Sequence, residues 1–125
     1  MAKKMLAIDD DSGTREFYTS VFEDAGFVVR TAADATAAII TCEDFNPDIL
    51  LLDWDMPGGG GSMVFEKICT LVGKKIPVLF VTGAPGKVAV DILASRVSVL
   101  KKPANIDTLL AHVNYLFESH LPGQN

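Results

Sequence analysis

Polar residues follow four of the short apolar runs in this sequence, and their types suggest chemistry on a phosphoryl group. They are the carboxylates of Asp9, Asp10, Asp11 and Asp53, the hydroxyl of Thr82 and the ammonium of Lys102. Two carboxylates about 4 Å apart repel by roughly 4 kcal/mol at an effective dielectric constant of about 20. Either one is therefore protonated or a cation lies among them. All-oxygen ligands suit Mg²⁺, which binds one or two carboxylates together with phosphate oxygens and water.

The same set of residues could hold a phosphoryl group and also accept it. Because carboxylates form aspartyl phosphates in other proteins, Asp53 is the candidate nucleophile. Lys102 can neutralise one phosphate oxygen as a point charge, and Thr82 can donate its hydroxyl proton to another. Any one of these residues alone would more often cap a helix or face solvent, and we assign that role to Asp11. The interpretation therefore depends on the residues converging at one place.

Strands and helices alternate along the chain in a way that would bring these residues together. Apolar runs predict strands at 5–8, 27–31, 48–53, 77–82 and 97–102. The stretches that follow them predict five helices at 14–25, 34–45, 62–72, 86–95 and 105–119. Such alternation predicts one α/β domain, a doubly wound five-stranded parallel sheet with helices on both faces. In such sheets ligands bind beyond the carboxyl ends of the strands, which is where the polar set falls.

The helical period predicts which faces of the first and last helices are buried. The residues predicted to point inward are Phe17, Val21 and Phe22 in the first helix and Ile106, Leu109, Leu110, Val113 and Leu116 in the last. Asp11 or Ser12 is the predicted cap of the first helix, and Asn105 is that of the last. Gly26 follows the first helix in the position typical of a C-terminal cap.

Composition narrows the class of protein. The chain of 125 residues is long enough for one domain with a core, and its 49% hydrophobic and 22% charged residues are an ordinary globular mixture. The formal net charge of −5 argues against a nucleic-acid partner, because phosphate binding needs a cationic surface. The run "MLAI" before the first acid is too short for a signal peptide or a membrane span. We therefore expect a cytoplasmic protein without a membrane partner.

The cysteines and histidines suggest no chemistry of their own. Cys42 and Cys69 lie in apolar helical stretches without the spacing of metal ligands, and we interpret both as reduced core residues. His112 and His120 lie on or after the last helix, and we interpret both as surface residues.

Taken together, the motifs resemble those of the receiver domain of bacterial two-component response regulators, the CheY-like superfamily. The likeness rests on "IDDD" after the first strand, "LLDWDMP" after the third, "VTGA" after the fourth and "KKP" after the fifth, and it covers residues 4–118. It implies a flavodoxin-like fold with strand order 2-1-3-4-5, a receiver domain over 1–120 and a polar tail over 121–125. It also implies a phosphoacceptor switch that is not a turnover enzyme. Its partners would be a sensor histidine kinase or a histidine phosphotransfer protein, and an unidentified downstream protein.

The resemblance also implies roles for individual residues. Asp53 would accept the phosphoryl group, and Lys102 and Thr82 would bind its oxygens. The implied Mg²⁺ ligands are Asp9, Asp10, Asp53 and the backbone carbonyl of Asp55. The Lys102–Pro103 peptide bond would be cis, which is energetically accessible before proline.

The sequence departs from the pattern of the family at Val99, at the three glycines before Gly61 and in the stretch from Thr82 to Lys102, which is about two residues short. Val99 stands where the family usually has an aromatic residue that moves together with the threonine, so we expect a different coupling at this switch position. Pro57 and the glycines at 58–61 would let the loop after the third strand pass close to Asp53, where a side chain would obstruct it. The fourth helix, at 86–95, should be short or irregular.

Other interpretations stay open at this point. The "DWD" at 53–55 also fits the DxD motif of haloacid-dehalogenase-type phosphatases, which would turn over phosphomonoesters repeatedly. A flavodoxin-like FMN binder, or a receiver-like scaffold that is never phosphorylated, is a further alternative. A flavin would need a hydroxyl-rich phosphate loop after the first strand, and the sequence has none there.

Overall fold

Five parallel strands form the centre of the computed structural model, which describes residues 2–56, 60–71, 76–88 and 97–118. The strands are β1 (Lys4–Ile8), β2 (Val28–Ala32), β3 (Ile49–Asp53), β4 (Val78–Thr82) and β5 (Val97–Lys101). They lie in the order β2-β1-β3-β4-β5, and each neighbouring pair is parallel. This order confirms the predicted doubly wound, flavodoxin-like sheet.

Four α-helices are present among these residues: α1 (Ser12–Asp24), α2 (Ala35–Phe45), α3 (Gly60–Leu71) and α4 (Ile106–Glu118). Helix α3 begins at Gly60, ahead of the predicted start at residue 62. The further helix predicted at 86–95 overlaps a short 3-10 helix at Pro85–Lys87, and its part from residue 89 onward lies outside the described residues. None of the helices in the described part of the chain is long and apolar enough to cross a membrane.

Side-chain caps determine where the helices begin. The Asp11 carboxylate accepts a hydrogen bond from the amide of Thr14 at 2.8 Å, which identifies Asp11 as the N-cap of α1. Asn105 likewise accepts from the amide of Thr108 at 2.8 Å at the start of α4. Such contacts satisfy amides that the first helical turn leaves without a backbone partner. Gly26 follows α1 with a φ of 94°, a left-handed conformation that favours glycine.

The sheet has a hydrophobic core on each face. The residues of β3 and β4 are all buried, as expected for central strands of a parallel sheet. One core, against α2 and α3, includes Leu6, Ile8, Leu50, Leu52 and Phe80. The other core, against α1 and α4, includes Met5, Ala7, Leu51, Leu79 and Val81. Alternate residues of each strand therefore face opposite layers of helices.

The register of the strands brings their carboxyl ends to one edge of the sheet. Asp53 at the end of β3 pairs with Val81, and Thr82 at the end of β4 pairs with Lys101. The residues that follow β1 and β5 lie at the same edge, because all five strands run in one direction. This edge is the place at which the predicted polar set can meet.

Two residues predicted to be buried are exposed instead. Phe17 is 38% exposed and Ile106 is 49% exposed, so their placement on inward helical faces was wrong. In α1 the buried stripe consists of Tyr18, Val21 and Phe22. Phe17 lies to the side of that stripe, because consecutive helical residues are about 100° apart. Ile106 is the first residue of α4, and together with Phe17 it lines a groove of about 340 Å³ between α1 and α4.

The surface position predicted for His112 holds only in part. His112 is half-buried because its face of α4 packs against β5, where its Nδ1 lies 2.9 Å from Oγ of Ser98. Cys42 is buried, as predicted. The side chain of Cys69, His120 and the tail at 121–125 lie outside the described part of the structure.

Candidate functional site

Three buried polar side chains mark the carboxyl edge of the sheet. Asp9, Asp53 and Thr82 are the buried polar or charged residues within the described part of the chain, with exposures of 1%, 4% and 0%. They follow β1 or end β3 and β4. Burying a carboxylate costs free energy unless the group is paired or hydrogen-bonded. Two buried acids at one edge therefore point to a site that binds something positive.

Lys102 supplies the positive charge of this cluster. Its Nζ lies 3.2 Å from Oδ2 of Asp9 and 3.2 Å from Oδ1 of Asp53. Its backbone amide donates to the carbonyl of Thr82 at 2.8 Å, which ties the residue after β5 to the end of β4. The peptide bond between Lys102 and Pro103 is cis, as predicted. One ammonium thus serves two carboxylates.

The environment of the cluster raises the pKa of Asp53 and that of Lys102. Burial raises the pKa of the Asp53 carboxyl group above its ordinary 3.8, and the nearby charge of Asp9 adds to the increase. The backbone amide of Asp55 and the ammonium of Lys102 act in the opposite direction without cancelling it. For Lys102, burial alone would lower the pKa, but the carboxylates of Asp53 and Asp9 raise it above the ordinary value. The site therefore favours the charged form of Lys102 but disfavours the charged form of Asp53.

The carboxylates of Asp9, Asp10 and Asp53 form a group that could hold a metal ion. Each offers one oxygen, and these three oxygens lie within 4.8 Å of one another. Asp10 is exposed, whereas the other two are buried, so the group opens to solvent on one side. The amide of Asp11 donates to Oδ1 of Asp9 at 2.9 Å, which orients that carboxylate.

Mg²⁺ fits this donor set. Oxygens about 2.1 Å from an octahedral ion lie roughly 3 to 4 Å apart, so a small inward movement of the three carboxylates would let them share one ion. Water and phosphoryl oxygens would take the other positions on the open side. Lys102 offsets one of the three carboxylate charges, and a divalent cation would offset the other two.

The side chain of Asp55 has a position that the sequence patterns did not predict. Its Oδ2 accepts a hydrogen bond from Oγ1 of Thr82 at 2.9 Å and one from the amide of Gly83 at 3.3 Å. Its own amide donates to Oδ1 of Asp53 at 3.1 Å. The metal-binding role of its backbone carbonyl stays a prediction. A signal for the side-chain contact did exist, because the residues that follow two neighbouring parallel strands lie side by side.

Two glycines allow α3 to begin directly against the site. A Cβ atom on Gly61 would lie 2.5 Å from the carbonyl oxygen of Asp53, and one on Gly60 would lie 2.7 Å from that of Trp54. Gly60 also has a φ of 70°, which favours glycine. Side chains here would obstruct the approach of the loop, as predicted. The proline and the two glycines at 57–59 lie outside the described residues.

Trp54 and Val99 both adjoin Phe80 in the core. The half-buried ring of Trp54 meets Phe80 edge-on, with 5.2 Å between ring centroids. Val99, at the predicted switch position, is half-buried, pairs with Phe80 across the sheet and packs against the same core. The indole therefore follows Asp53 directly in the sequence and packs against β4 through Phe80.

Comparison with known proteins identifies relatives over most of the chain. Residues 5–114 match a family model described as the response regulator receiver domain. The phosphate regulon transcriptional regulatory protein PhoB of Klebsiella pneumoniae is 34% identical over 84 residues, which are 66% of this chain and 36% of that protein. The DNA-binding response regulator MtrA of Mycobacterium leprae is 27% identical over 113 residues, which are 90% of this chain and 50% of that protein. The chain thus spans half or less of the length of these relatives.

Solved structures show the same architecture. The chemotaxis protein CheY4 of Vibrio cholerae superimposes with a TM-score of 0.85 at 28% identity, and the alignment covers 93% of this chain and 99% of that one. The receiver domain of the Francisella response regulator 1452 gives a TM-score of 0.81 at 28% identity, covering 95% and 99% of the two chains. In both cases nearly the whole neighbour is matched.

Proposed function

This chain belongs to the response regulator receiver domain family of two-component signalling, and we propose that Asp53 is its phosphoacceptor. The observation that carries the proposal is the environment of the Asp53 carboxylate. It is buried, lies 3.2 Å from the ammonium of Lys102 and belongs to the carboxylate group that also contains Asp9 and Asp10. A carboxylate placed beside bound cations can attack a phosphoryl group whose own negative charge is neutralised by the same cations.

The donor in this proposal is the phosphohistidine of a sensor histidine kinase or of a histidine phosphotransfer protein. One carboxylate oxygen of Asp53 attacks phosphorus, so that a P–O bond forms as the P–N bond breaks. The imidazole leaves with the electron pair and takes up a proton from solvent. The product is an acyl phosphate on Asp53. Such a transfer needs positioning and charge stabilisation more than covalent assistance from the protein.

The other residues of the site would supply that stabilisation. Lys102, which already pairs with Asp53, would bind one phosphoryl oxygen, and Thr82 would donate its hydroxyl to another. When bound, Mg²⁺ would neutralise phosphoryl charge. Its proposed protein ligands are Asp9, Asp10, Asp53 and the backbone carbonyl of Asp55.

The domain in this proposal is a switch and not a turnover enzyme. Phosphorylation would change the population of two states of the loops after β3 and β4, and an unidentified downstream protein would bind one state better. The net charge of −5 supports a protein partner over a nucleic acid. We place the exchange in the cytoplasm, where ATP supplies kinases with phosphoryl groups.

Labelling with acetyl phosphate in the presence of Mg²⁺ tests this proposal. Intact mass spectrometry should detect one base-labile phosphoryl group on the wild-type chain and none on Asp53→Asn. Asp34→Asn is the matched control, because Asp34 is an exposed carboxylate that caps α2. Labelling that survives in Asp53→Asn, or is absent from the wild-type chain, would refute the assignment. Repeated release of phosphate from phosphomonoesters would favour a phosphatase instead.

A further inference from the structure

The hydroxyl of Thr82, which would bind a phosphoryl oxygen, already has another acceptor. It donates to Oδ2 of Asp55 at 2.9 Å, and the Thr82 side chain is completely buried. A hydroxyl has a single proton and donates one hydrogen bond at a time. Thr82 therefore cannot donate to Asp55 and to a phosphoryl group together.

Asp55 holds more than this hydroxyl. The same Oδ2 accepts from the amide of Gly83 at 3.3 Å, and the amide of Ala84 donates to Oγ1 of Thr82 at 3.0 Å. These contacts connect Asp55, in the loop after β3, to Thr82 and Gly83, and Thr82 in turn is bonded to the amide of Ala84. The carboxylate makes the hydrogen bond from Thr82 charge-assisted, and such bonds are stronger than neutral ones.

We propose that the Asp55 carboxylate is a positioning residue that restrains the Thr82 hydroxyl and the loop after β4 in the unphosphorylated domain, and that phosphorylation of Asp53 breaks this restraint. The inference rests on the proposed function of Asp53. It assigns to the side chain of Asp55 a role separate from that of its backbone carbonyl.

Charge explains why the restraint would be released by the modification itself. The amide of Asp55 donates to Oδ1 of Asp53 at 3.1 Å, so the two residues are held close together. A phosphoryl group on Asp53 brings additional negative charge and new acceptor oxygens to this place. It therefore repels the Asp55 carboxylate and competes for the Thr82 proton. The hydroxyl has two exclusive acceptors, and their competition sets the population of the two arrangements.

Removal of the Asp55 carboxylate should favour the phosphorylated arrangement, and a double-mutant cycle tests whether it does so through Thr82. The probe is beryllofluoride, which mimics the phosphoryl group, titrated with Mg²⁺ onto the full chain and followed by Trp54 fluorescence. Asp55→Ala should bind beryllofluoride about fivefold more tightly than wild type, the ratio that one net hydrogen bond corresponds to. In a Thr82→Val background, the gain from Asp55→Ala should be clearly smaller, because only the charge repulsion between Asp55 and the beryllofluoride is then removed.

Each alternative has a distinct result. Equal gains from Asp55→Ala in the wild-type and Thr82→Val backgrounds would show that Asp55 acts by charge repulsion alone and would overturn the proposal. No gain from Asp55→Ala in the wild-type background would overturn it as well. Asp44→Ala is the control for loss of a distant acid, because the Asp44 side chain is 78% exposed.

A second readout does not depend on phosphorylation. Amide hydrogen exchange at Gly83 should be faster in Asp55→Ala, because the carboxylate accepts that hydrogen bond, and Asp55→Asn should restore much of the protection. Unchanged exchange would overturn the restraint. A wild-type chain that binds no beryllofluoride would instead refute the proposed function and the release step with it, while the exchange experiment would still decide the restraint itself.

Discussion

The ammonium nitrogen of Lys102 lies 3.2 Å from Oδ1 of Asp53, and it lies 3.2 Å from Oδ2 of Asp9 as well. One cation is therefore shared by two buried carboxylates, while the third acid of the group, Asp10, faces solvent. Without a bound metal ion, the site therefore has a shortage of positive charge. This shortage makes both its stability and its affinity for cations depend on Lys102.

Replacing Lys102 by methionine should destabilise the domain by about 2 kcal/mol in the absence of divalent cations. Breaking a buried ion pair costs about 3–5 kcal/mol. We expect less here because the Lys102 side chain is 33% exposed and solvent screens the pair. Urea unfolding in EDTA measures the loss. Mg²⁺ should stabilise Lys102→Met more than wild type, since it would bind the carboxylates that the variant leaves unpaired.

The neighbouring lysine provides the matched control for this substitution. Lys101 is exposed at the end of β5, and Lys101→Met removes the same charge without touching the cluster. Its stability should stay within about 0.5 kcal/mol of wild type. Equal losses in the two variants would contradict the shared ion pair.

The raised pKa of Asp53 makes Asp53→Asn stabilising at neutral pH. An acid whose pKa is higher in the folded domain than its ordinary 3.8 destabilises the fold once it ionises. The penalty is absent below the unfolded value, grows as pH rises through the folded value and is complete above it. The thermal midpoint of Asp53→Asn, measured without Mg²⁺, should exceed that of wild type at pH 7, and the difference should shrink as pH falls toward about 4.

Asp11 should show the opposite dependence and serves as a reference. The hydroxyl and amide of Thr14 lower the pKa of Asp11, so ionised Asp11 stabilises the fold above its ordinary 3.8. That contribution disappears as pH falls through the lowered value. Asp11→Asn should therefore be less stable than wild type at pH 7 and approach it in acid. If the stability of Asp11→Asn and that of Asp53→Asn changed with pH in the same direction relative to wild type, the opposite pKa shifts of the two carboxyl groups would be contradicted.

Gly61→Ala should distort the site and destabilise the domain by about 1–3 kcal/mol, the usual cost of overpacking. The added Cβ would lie 2.5 Å from the Asp53 carbonyl oxygen and 2.9 Å from Cα of Trp54, so the backbone on one side has to move. Chemical unfolding and the response of Trp54 to Mg²⁺ measure the two effects. Gly86→Ala is the control, because its Cβ would have no atom within 4 Å. If Gly61→Ala is as stable as Gly86→Ala and wild type, Gly61 does not approach the Asp53 carbonyl oxygen as closely as described.

The fluorescence of Trp54 should change when Mg²⁺ binds and change again with a phosphodonor. Trp54 is the single tryptophan of the chain and directly follows Asp53, so the signal is local and needs no label. Asp10→Asn should weaken Mg²⁺ binding about tenfold or more, because it removes one carboxylate of the group. Asp44→Asn, which alters an exposed acid on α2, should leave the titration unchanged. A spectrum that Mg²⁺ does not alter would argue against the metal site.

The elements of the fold were largely predictable because a parallel sheet demands a distinctive sequence. Central strands are buried on both faces, and only uninterrupted apolar runs such as those within the predicted strands at 48–53 and 77–82 satisfy this demand. The cap Asn105 was predictable for a similar reason, and the cap of α1 was narrowed to Asp11 or Ser12, since few residue types can satisfy the first amides of a helix.

Burial at the margins of the helices was not predictable in this way. Phe17 and Ile106 are apolar at suitable helical spacing, yet both are substantially exposed. His112 is polar and was predicted to be at the surface, yet it contacts Ser98. Such residues lie at the border of a packed face, where the angle between helix and sheet decides which side chains are covered.

The sequence by itself determined the alternation of strands and helices and the chemical types that gather at one edge of the sheet, because hydrophobic periodicity and strand ends are properties of local sequence. The tertiary structure alone decided which of those groups pair. Lys102 is shared between Asp9 and Asp53, and Thr82 is held by the side chain of Asp55. Hydrogen bonds and ion pairs form only when the two atoms lie within about 3 to 4 Å of each other, and spacing along a chain does not specify distances between side chains on different strands.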